Sequence, residues 1–263
     1  MQKFYKYHGA GNDFILIDNR TKSFSIDDSR IRKICNRRVG VGADGLILLN
    51  SSKEQGIDFE MQYFNSDGFE GSMCGNGGRC IVAFAQRLGI IDKETFFSGI
   101  DGLHKANILV MAGNKTEISI QIKDVSEIKS FDDGYFLDTG SPHVVKFVDN
   151  VHAVNMEEGK KIRHDVRFEK GTNVNFVEVQ KDNTVFVRTY ERGVEDETLS
   201  CGTGVTASAL AFAFAKQNNT LSTVNVFTCG GTFCVHFKRN ENMFFQIYLQ
   251  GETCFVFEGD YEL

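Results

Sequence analysis

The chain has 263 residues, 41% hydrophobic and 24% charged, with a net charge of −6. That balance fits a globular protein, and its 24 Phe supply ample apolar surface for a core. An acidic chain without a basic stripe argues against nucleic acid as the main partner, and no apolar run approaches the ~18 residues of a membrane-spanning helix.

Met1 to His8 has no apolar stretch of the kind a secretion signal needs, so a cytoplasmic protein is expected. The seven cysteines, Cys35, Cys74, Cys80, Cys201, Cys229, Cys234 and Cys254, are odd in number and contain no CxxC. Reduced thiols are expected, and the Cys and His spacing does not match a metal site. Cys35 and Cys80 fall in helical stretches, and Cys229, Cys234 and Cys254 in strand-like ones. All five are expected to be buried structural thiols.

In chain order, Arg30-Ile31-Arg32-Lys33 reads as the solvated face of a short helix. Gly40-Val41-Gly42-Ala43-Asp44-Gly45 satisfies GxGxxG but precedes the strand Leu46–Leu49 instead of following one, so it is not a dinucleotide site. A helix is predicted from Gly75 to Leu88, with Ile81, Val82, Phe84, Ala85 and Leu88 at helical spacing and Gly89 as a stop signal. Thr116–Ile122, Phe176–Val179 and Thr184–Arg188 read as strands. Val205–Lys216 is apolar nearly all round, as befits a helix wrapped by sheet.

The chain resembles itself. Cys74-Gly75-Asn76-Gly77-Gly78 is echoed by Cys201-Gly202-Thr203-Gly204-Val205, 127 positions later (201 − 74), and Tyr190 follows Tyr63 by the same interval. Gly42-Ala43-Asp44 parallels Gly171-Thr172-Asn173, and Gly11-Asn12 parallels Gly140-Ser141, both at 129. Thr95–Gly99 is echoed by Asn225–Gly230. Four matches in one order at nearly one offset indicate two copies of one module. The expected fold is α/β (α+β): two pseudo-symmetric lobes, each a mixed or antiparallel sheet around a central helix, with a cleft between them. Residues 1–114 plus 251–263 would form one lobe and 115–250 the other.

Cys-Gly-x-Gly opening an apolar helix has a chemical reading. The first N–H groups of a helix favour an anion such as a carboxylate, and a helix N-terminus favours a thiolate. Alone, either motif could be an ordinary helix start. As a symmetric pair they could place two thiols about one substrate, one removing an α-proton and the other returning one to the opposite face. A binding module for an amino acid, without turnover, is the alternative from another class, although a pure binder needs no thiols there.

Five motifs carry a specific resemblance: His8-Gly9-Ala10-Gly11-Asn12-Asp13-Phe14, Phe64-Asn65-Ser66-Asp67-Gly68, Met73-Cys74-Gly75-Asn76-Gly77-Gly78-Arg79-Cys80, Tyr190-Glu191-Arg192-Gly193 and Ser200-Cys201-Gly202-Thr203-Gly204. In order and spacing they resemble the diaminopimelate epimerase family over essentially the whole chain. The resemblance implies cofactor-independent epimerisation of LL-2,6-diaminopimelate to the meso form, with Cys74 and Cys201 as acid and base, in lysine and peptidoglycan precursor synthesis. It also implies that Gly75, Asn76, Gly202 and Thr203 hold the reacting carboxylate through backbone N–H groups. Glu191, Arg192, Asn12, Asn65 and Asn173 would recognise the remaining charged ends, and His143 would orient or polarise the thiols. A homodimer is implied as well. Two positions depart from the family pattern: Gly45 stands where Gln is frequent, and Ser141 where Asn is frequent. Proline racemases and hydroxyproline epimerases share the two-cysteine logic and are the nearest enzymatic alternative.

Overall fold

The computed structural model describes residues 1–71, 74–131, 134–218 and 220–262. The chain divides into two compact units, Met1–Ile120 with Gly251–Leu263, and Gln121–Gln250. Among the described residues no helix is long and apolar enough to cross a membrane.

The first unit begins with a hairpin of β1 (Gln2–Gly9) and β2 (Asn12–Asp18). Its two-residue turn, Ala10-Gly11, takes φ of 50° and 82°. This double left-handed turn matches the twist of the strands and makes Asn12 the first residue of β2. Helix α1 (Asp28–Cys35), capped by Asp27, leads to β3 (Gly45–Asn50), which lies parallel to β2. Ile31, Ile34 and Cys35 are its buried side, while Arg30, Arg32 and Lys33 are exposed. Antiparallel β4 (Phe59–Asn65) follows, then helix α2 (Gly75–Arg87), then β5 (Glu94–Gly99) parallel to β4. Strands β6 (Gly102–Ala112) and β7 (Lys115–Ile122) complete the run. Returning at the C-terminus, β16 (Met243–Tyr261) pairs with β7 and with β1, Gln2 facing Tyr261 and Gly9 facing Thr253. The sheet therefore closes on itself.

Helix α2 packs against β1, β2, β3, β4 and β6 and is buried from Gly75 through Ala85. It ends in paired C-terminal bonds, Ile90 N–H to Ala85 O at 3.0 Å and Gly89 N–H to Gln86 O at 2.9 Å, with Gly89 at φ 70°. That is why Gly89 marks the stop.

The second unit repeats the plan. Strands β8 (Lys129–Phe131), β9 (Gly134–Asp138) and β10 (Pro142–Phe147) lead through a short 3₁₀ turn, Val151–Ala153, and helix α3 (Met156–Arg163) to β11 (Asn173–Val179), parallel to β10. β12 (Thr184–Glu191) is antiparallel to β11 and carries the short β13 (Asp196–Thr198). Helix α4 (Gly202–Ala215) then crosses to β14 (Thr223–Phe227), parallel to β12, and β15 (Thr232–Asn240) follows antiparallel. The alternation antiparallel, parallel, antiparallel, parallel, antiparallel is the same in β1–β6 and in β9–β12, β14, β15. In each unit the Cys-Gly helix fills the second parallel crossover. The expected α/β fold, with a helix wrapped by sheet in each half, is what the chain forms.

Two expectations change. Helix α4 starts at Gly202, three residues before the predicted Val205. Glycine is a poor helix former, but here it fits the space: a Cβ on Gly204 would stand 2.4 Å from Asn175 Oδ1. Of the five cysteines expected to be buried, Cys35 and Cys80 are, with burial pushing the Cys35 thiol up to about 12. Cys234 and Cys254 are half-buried, and Cys229 is exposed, because β14 ends at Phe227 and the chain bends there around Thr228 Oγ1.

Phe84, fully buried, packs its ring tilted 4.7 Å from Tyr5 and edge-on 6.1 Å from Tyr7, fixing α2 to β1. Phe84→Ala is expected to lower the unfolding free energy by about 3–5 kcal/mol, measured by denaturant titration. A loss below ~1 kcal/mol would mean α2 is not held by this contact.

Candidate active site

In each unit the candidate cysteine, Cys74 or Cys201, is the N-cap of the enclosed helix. Cys74 has φ −102° and ψ 123°, Cys201 φ −118° and ψ 113°, and neither side chain makes a capping hydrogen bond. The next residues, Gly75 and Asn76 in one unit and Gly202 and Thr203 in the other, open the first turn. No acidic residue sits in either first turn. An N-terminus of this kind presents backbone donors and the positive end of the helix dipole. Met73, quoted in the motif that holds Cys74, lies outside the described residues.

Around Cys74 the supporting network is charged. The thiol donates to Asn12 Oδ1 at 3.6 Å, and Asn12 Nδ2 donates to Asp44 Oδ2 at 2.7 Å. Arg37 Nη2 bridges Asp44 and Asp13, each at 2.6 Å, and Asp13 also pairs with Lys6 at 2.6 Å. Burial would raise the Asp13 carboxyl, but the bonds from Arg37 and Lys6 outweigh it and hold the group well below the usual carboxylate range. Arg37 is therefore committed to carboxylates. Behind Cys74, the fully buried Arg79 donates to Gly75 O at 3.1 Å and to Asn76 Oδ1 at 2.7 Å. Burial lowers its guanidinium to about 10, and the Asn76 side chain is thereby tied into α2.

Asn65, at the end of β4, is anchored separately: Tyr63 donates its hydroxyl to Asn65 Oδ1 at 2.9 Å. Tyr63 also explains Gly45. A Cβ on Gly45 would lie 2.5 Å from Tyr63 Cε2 and 2.5 Å from Phe64 O, and one on Gly71 would lie 2.7 Å from Tyr63 Cε1. The phenol ring occupies the ground between two glycines, so no longer side chain fits at position 45.

Around Cys201 the network is neutral at its centre. His143, on β10, is fully buried, with Nε2 2.9 Å from Thr203 Oγ1 and Nδ1 3.1 Å from Asn175 Nδ2. Burial, and then the charge of Arg192, push its imidazole down to about 3. Thr203 Oγ1 is 3.4 Å from Cys201 Sγ, and Thr203 O accepts from Thr139 at 2.9 Å. Asn173 donates to Ser141 Oγ at 2.8 Å and to Pro142 O at 3.0 Å, while its Oδ1 accepts the Arg192 N–H at 2.9 Å. Glu191 Oε2 accepts from Thr198 at 2.8 Å, and the Arg192 guanidinium reaches Lys170 O at 3.2 Å. Thus Ser141, Asn173 and Arg192 form one hydrogen-bonded set, and His143, Thr203 and Cys201 another, within the same unit.

Sequence reasoning missed Tyr63 and Asn175 as site residues, and read Asp44 and Arg79 only as parts of motifs. Asn175 had one visible signal, an amide in the otherwise apolar run Val174–Val177. Among the described residues no group of three His, Cys, Asp or Glu is arranged to hold a metal ion.

Gly45→Ala is expected to lower stability by about 1–3 kcal/mol, the usual cost of overpacking, because a backbone carbonyl and a wedged ring both stand in the way. Denaturant unfolding measures it; an unchanged midpoint would mean Tyr63 moves freely.

With the geometry described, comparison with known proteins places the chain. The model of the family described as diaminopimelate epimerase matches it twice, over residues 4–125 and 135–256, one match in each half. Curated relatives named diaminopimelate epimerase include one from Flavobacterium psychrophilum, 50% identical over 97% of this chain and 98% of its own. Others come from Chlorobaculum tepidum, 42% identical over 95% and 98%, and from Aquifex aeolicus, 38% identical over 98% and 96%. A Bacillus anthracis phenazine biosynthesis protein of the PhzF family shares the fold at a TM-score of 0.78 and 15% identity, covering 100% of this chain and 99% of that one. A probable proline racemase from Agrobacterium radiobacter does so at 0.74 and 13%, covering 100% and 93%. The repeated match and the identity along the full length make this chain a member of the diaminopimelate epimerase family.

Proposed function

We propose that this protein epimerises LL-2,6-diaminopimelate to the meso form, in lysine and peptidoglycan precursor synthesis, with Cys74 and Cys201 as its two acid–base groups. The observation that carries the reading is the doubled element: in both units a cysteine is the N-cap of a buried helix and its side chain makes no capping hydrogen bond.

In this mechanism the substrate's α-carboxylate binds the N–H groups of Gly75, Asn76, Gly202 and Thr203, where donors and helix dipoles stabilise the charge that develops as the α-proton leaves. One thiolate takes that proton, and the opposite thiol delivers another to the other face of the same carbon. The carbanion needs no cofactor if this electrostatic support is fixed in advance and water is kept out. Glu191 would accept an ammonium, Arg192 would offer a bidentate fork to a carboxylate, and Asn12, Asn65 and Asn173 would complete recognition of the distal end. Ser141, accepting from Asn173, keeps its own hydroxyl proton to give. His143 would position the Cys201 side of the site. Residues 1–114 plus 251–263 and residues 115–250 would act as the two catalytic lobes. We propose a cytoplasmic homodimer.

The test is α-hydrogen exchange in D₂O followed by proton NMR, with LL-diaminopimelate or L-proline as substrate. Exchange with inversion is expected for diaminopimelate only, and Cys74→Ala and Cys201→Ala should each lower turnover ~10²–10⁴-fold, the usual worth of a general acid or base. Turnover of proline instead would move the assignment to the racemases, and no exchange with either would leave a binding module.

A further inference from the structure

Thr203 joins Cys201 to His143, and the direction of that chain can be worked out atom by atom. Asn175 is fully buried on β11. Its amide is oriented by two neighbours: Val144 O, 2.9 Å away, can only accept, so it faces Nδ2, while Thr189 Oγ1 donates to Oδ1 at 2.9 Å. Nδ2 is therefore also the atom facing His143 Nδ1 at 3.1 Å. A donor facing Nδ1 requires a lone pair there. The ring is then neutral, and its one proton is on Nε2. Nε2–H donates to Thr203 Oγ1 at 2.9 Å. The other partner of that hydroxyl is Cys201 Sγ at 3.4 Å, where either atom can donate; a deprotonated sulfur can only accept, so with the thiolate the Thr203 proton goes to Sγ.

We propose that Asn175 is a positioning residue which, by fixing the Nε2–H tautomer of His143, holds the Thr203 hydroxyl as a donor to Cys201 Sγ and so favours the thiolate form of that sulfur. A hydrogen bond to the charged form of a group stabilises that form. In the resting enzyme Cys201 is then prepared as the base. That catalytic consequence rests on the function proposed above, whereas the hydrogen-bond chain does not.

The charged groups on the elements packed against α4 are few near its start. Asp138, at the end of β9, lies 3.7 Å from Lys123; Glu191 and Arg192 end β12, the former bonded to Thr198 and the latter to Lys170 O. Lys146 on β10 pairs with Glu158, and Arg239 on β15 donates to Ala213 O at the far end of the helix. Arg192 lies close enough to disfavour a charged His143, which acts in the same direction as Asn175.

Two measurements on the full chain test the inference. Long-range ¹H–¹⁵N correlation of ¹⁵N-histidine-labelled protein, with His143→Gln to identify the resonance, should show the Nε2–H tautomer without titration from about pH 5.5 to 8.5, around the ordinary imidazole range. Peptide-resolved iodoacetamide alkylation across pH gives the midpoint for Cys201. Thr203→Val should raise it by about one pH unit, tenfold in thiolate fraction; Thr203→Ser should keep the wild-type profile. Asn175→Ala should release the tautomer of His143 and move the Cys201 midpoint in the same direction as Thr203→Val. A proton on Nδ1, a titrating His143, or a Cys201 midpoint unmoved by Thr203→Val overturns the inference. Should Asn175→Ala fail to fold, the tautomer and the Thr203 variants decide alone. Full turnover by Cys201→Ala would instead overturn the proposed function and leave the alkylation result intact.

Discussion

The structure depends on burying a helix whose first turn is capped by a residue that does not use its donors. Ser, Asp or Asn at the N-cap would close on the N2 or N3 amide and stabilise the helix by about 1 kcal/mol. At Cys74 and Cys201 that bond is not made. The stability forgone is recovered by enclosure. Gly75 through Ala85 of α2, and nearly all of α4 from Gly202 to Ala213, are buried against their sheets. A helix that burial holds in place can keep its terminus for a ligand.

The two halves share topology but support their cysteines by different chemistry. Near Cys74, Lys6, Asp13, Arg37 and Asp44 form a connected set of charges that ends in the Asn12 amide. Near Cys201 the supporting groups are neutral, His143, Asn173, Asn175 and Thr189, all buried and all hydrogen-bonded. A partly exposed ionic network tolerates water, whereas a buried neutral one is specific because each donor and acceptor must be matched. The two halves therefore share the backbone plan while the polar groups around their cysteines differ.

Fold and function separate cleanly here. Proteins described as phenazine biosynthesis, proline racemase and hydroxyproline epimerase share this backbone at 15% identity or less. Such likeness fixes the architecture alone, and function is read from the site grafted on it. In this chain the site includes Tyr63 wedged between Gly45 and Gly71, which excludes a longer residue at position 45. The consequence is local: Asn65 is oriented by a phenol in this chain.

Sequence alone determined the duplicated plan, the Cys-Gly start of α2, the stop at Gly89 and the strands around them. These are signals of period and spacing, written along the chain and set by local sterics. The start of α4 escaped because glycine's low helix propensity hid three residues that packing against Asn175 accommodates. Cys229 was misjudged because a strand-like composition runs two residues beyond the last strand pairing at Phe227. Only the tertiary structure decided which polar groups meet: Tyr63 with Gly45, Asp44 with Asn12, Asn175 with His143, and His143 with Thr203, 60 positions away. Hydrogen bonds are short and directional, and their partners arrive from strands whose pairing no local pattern records.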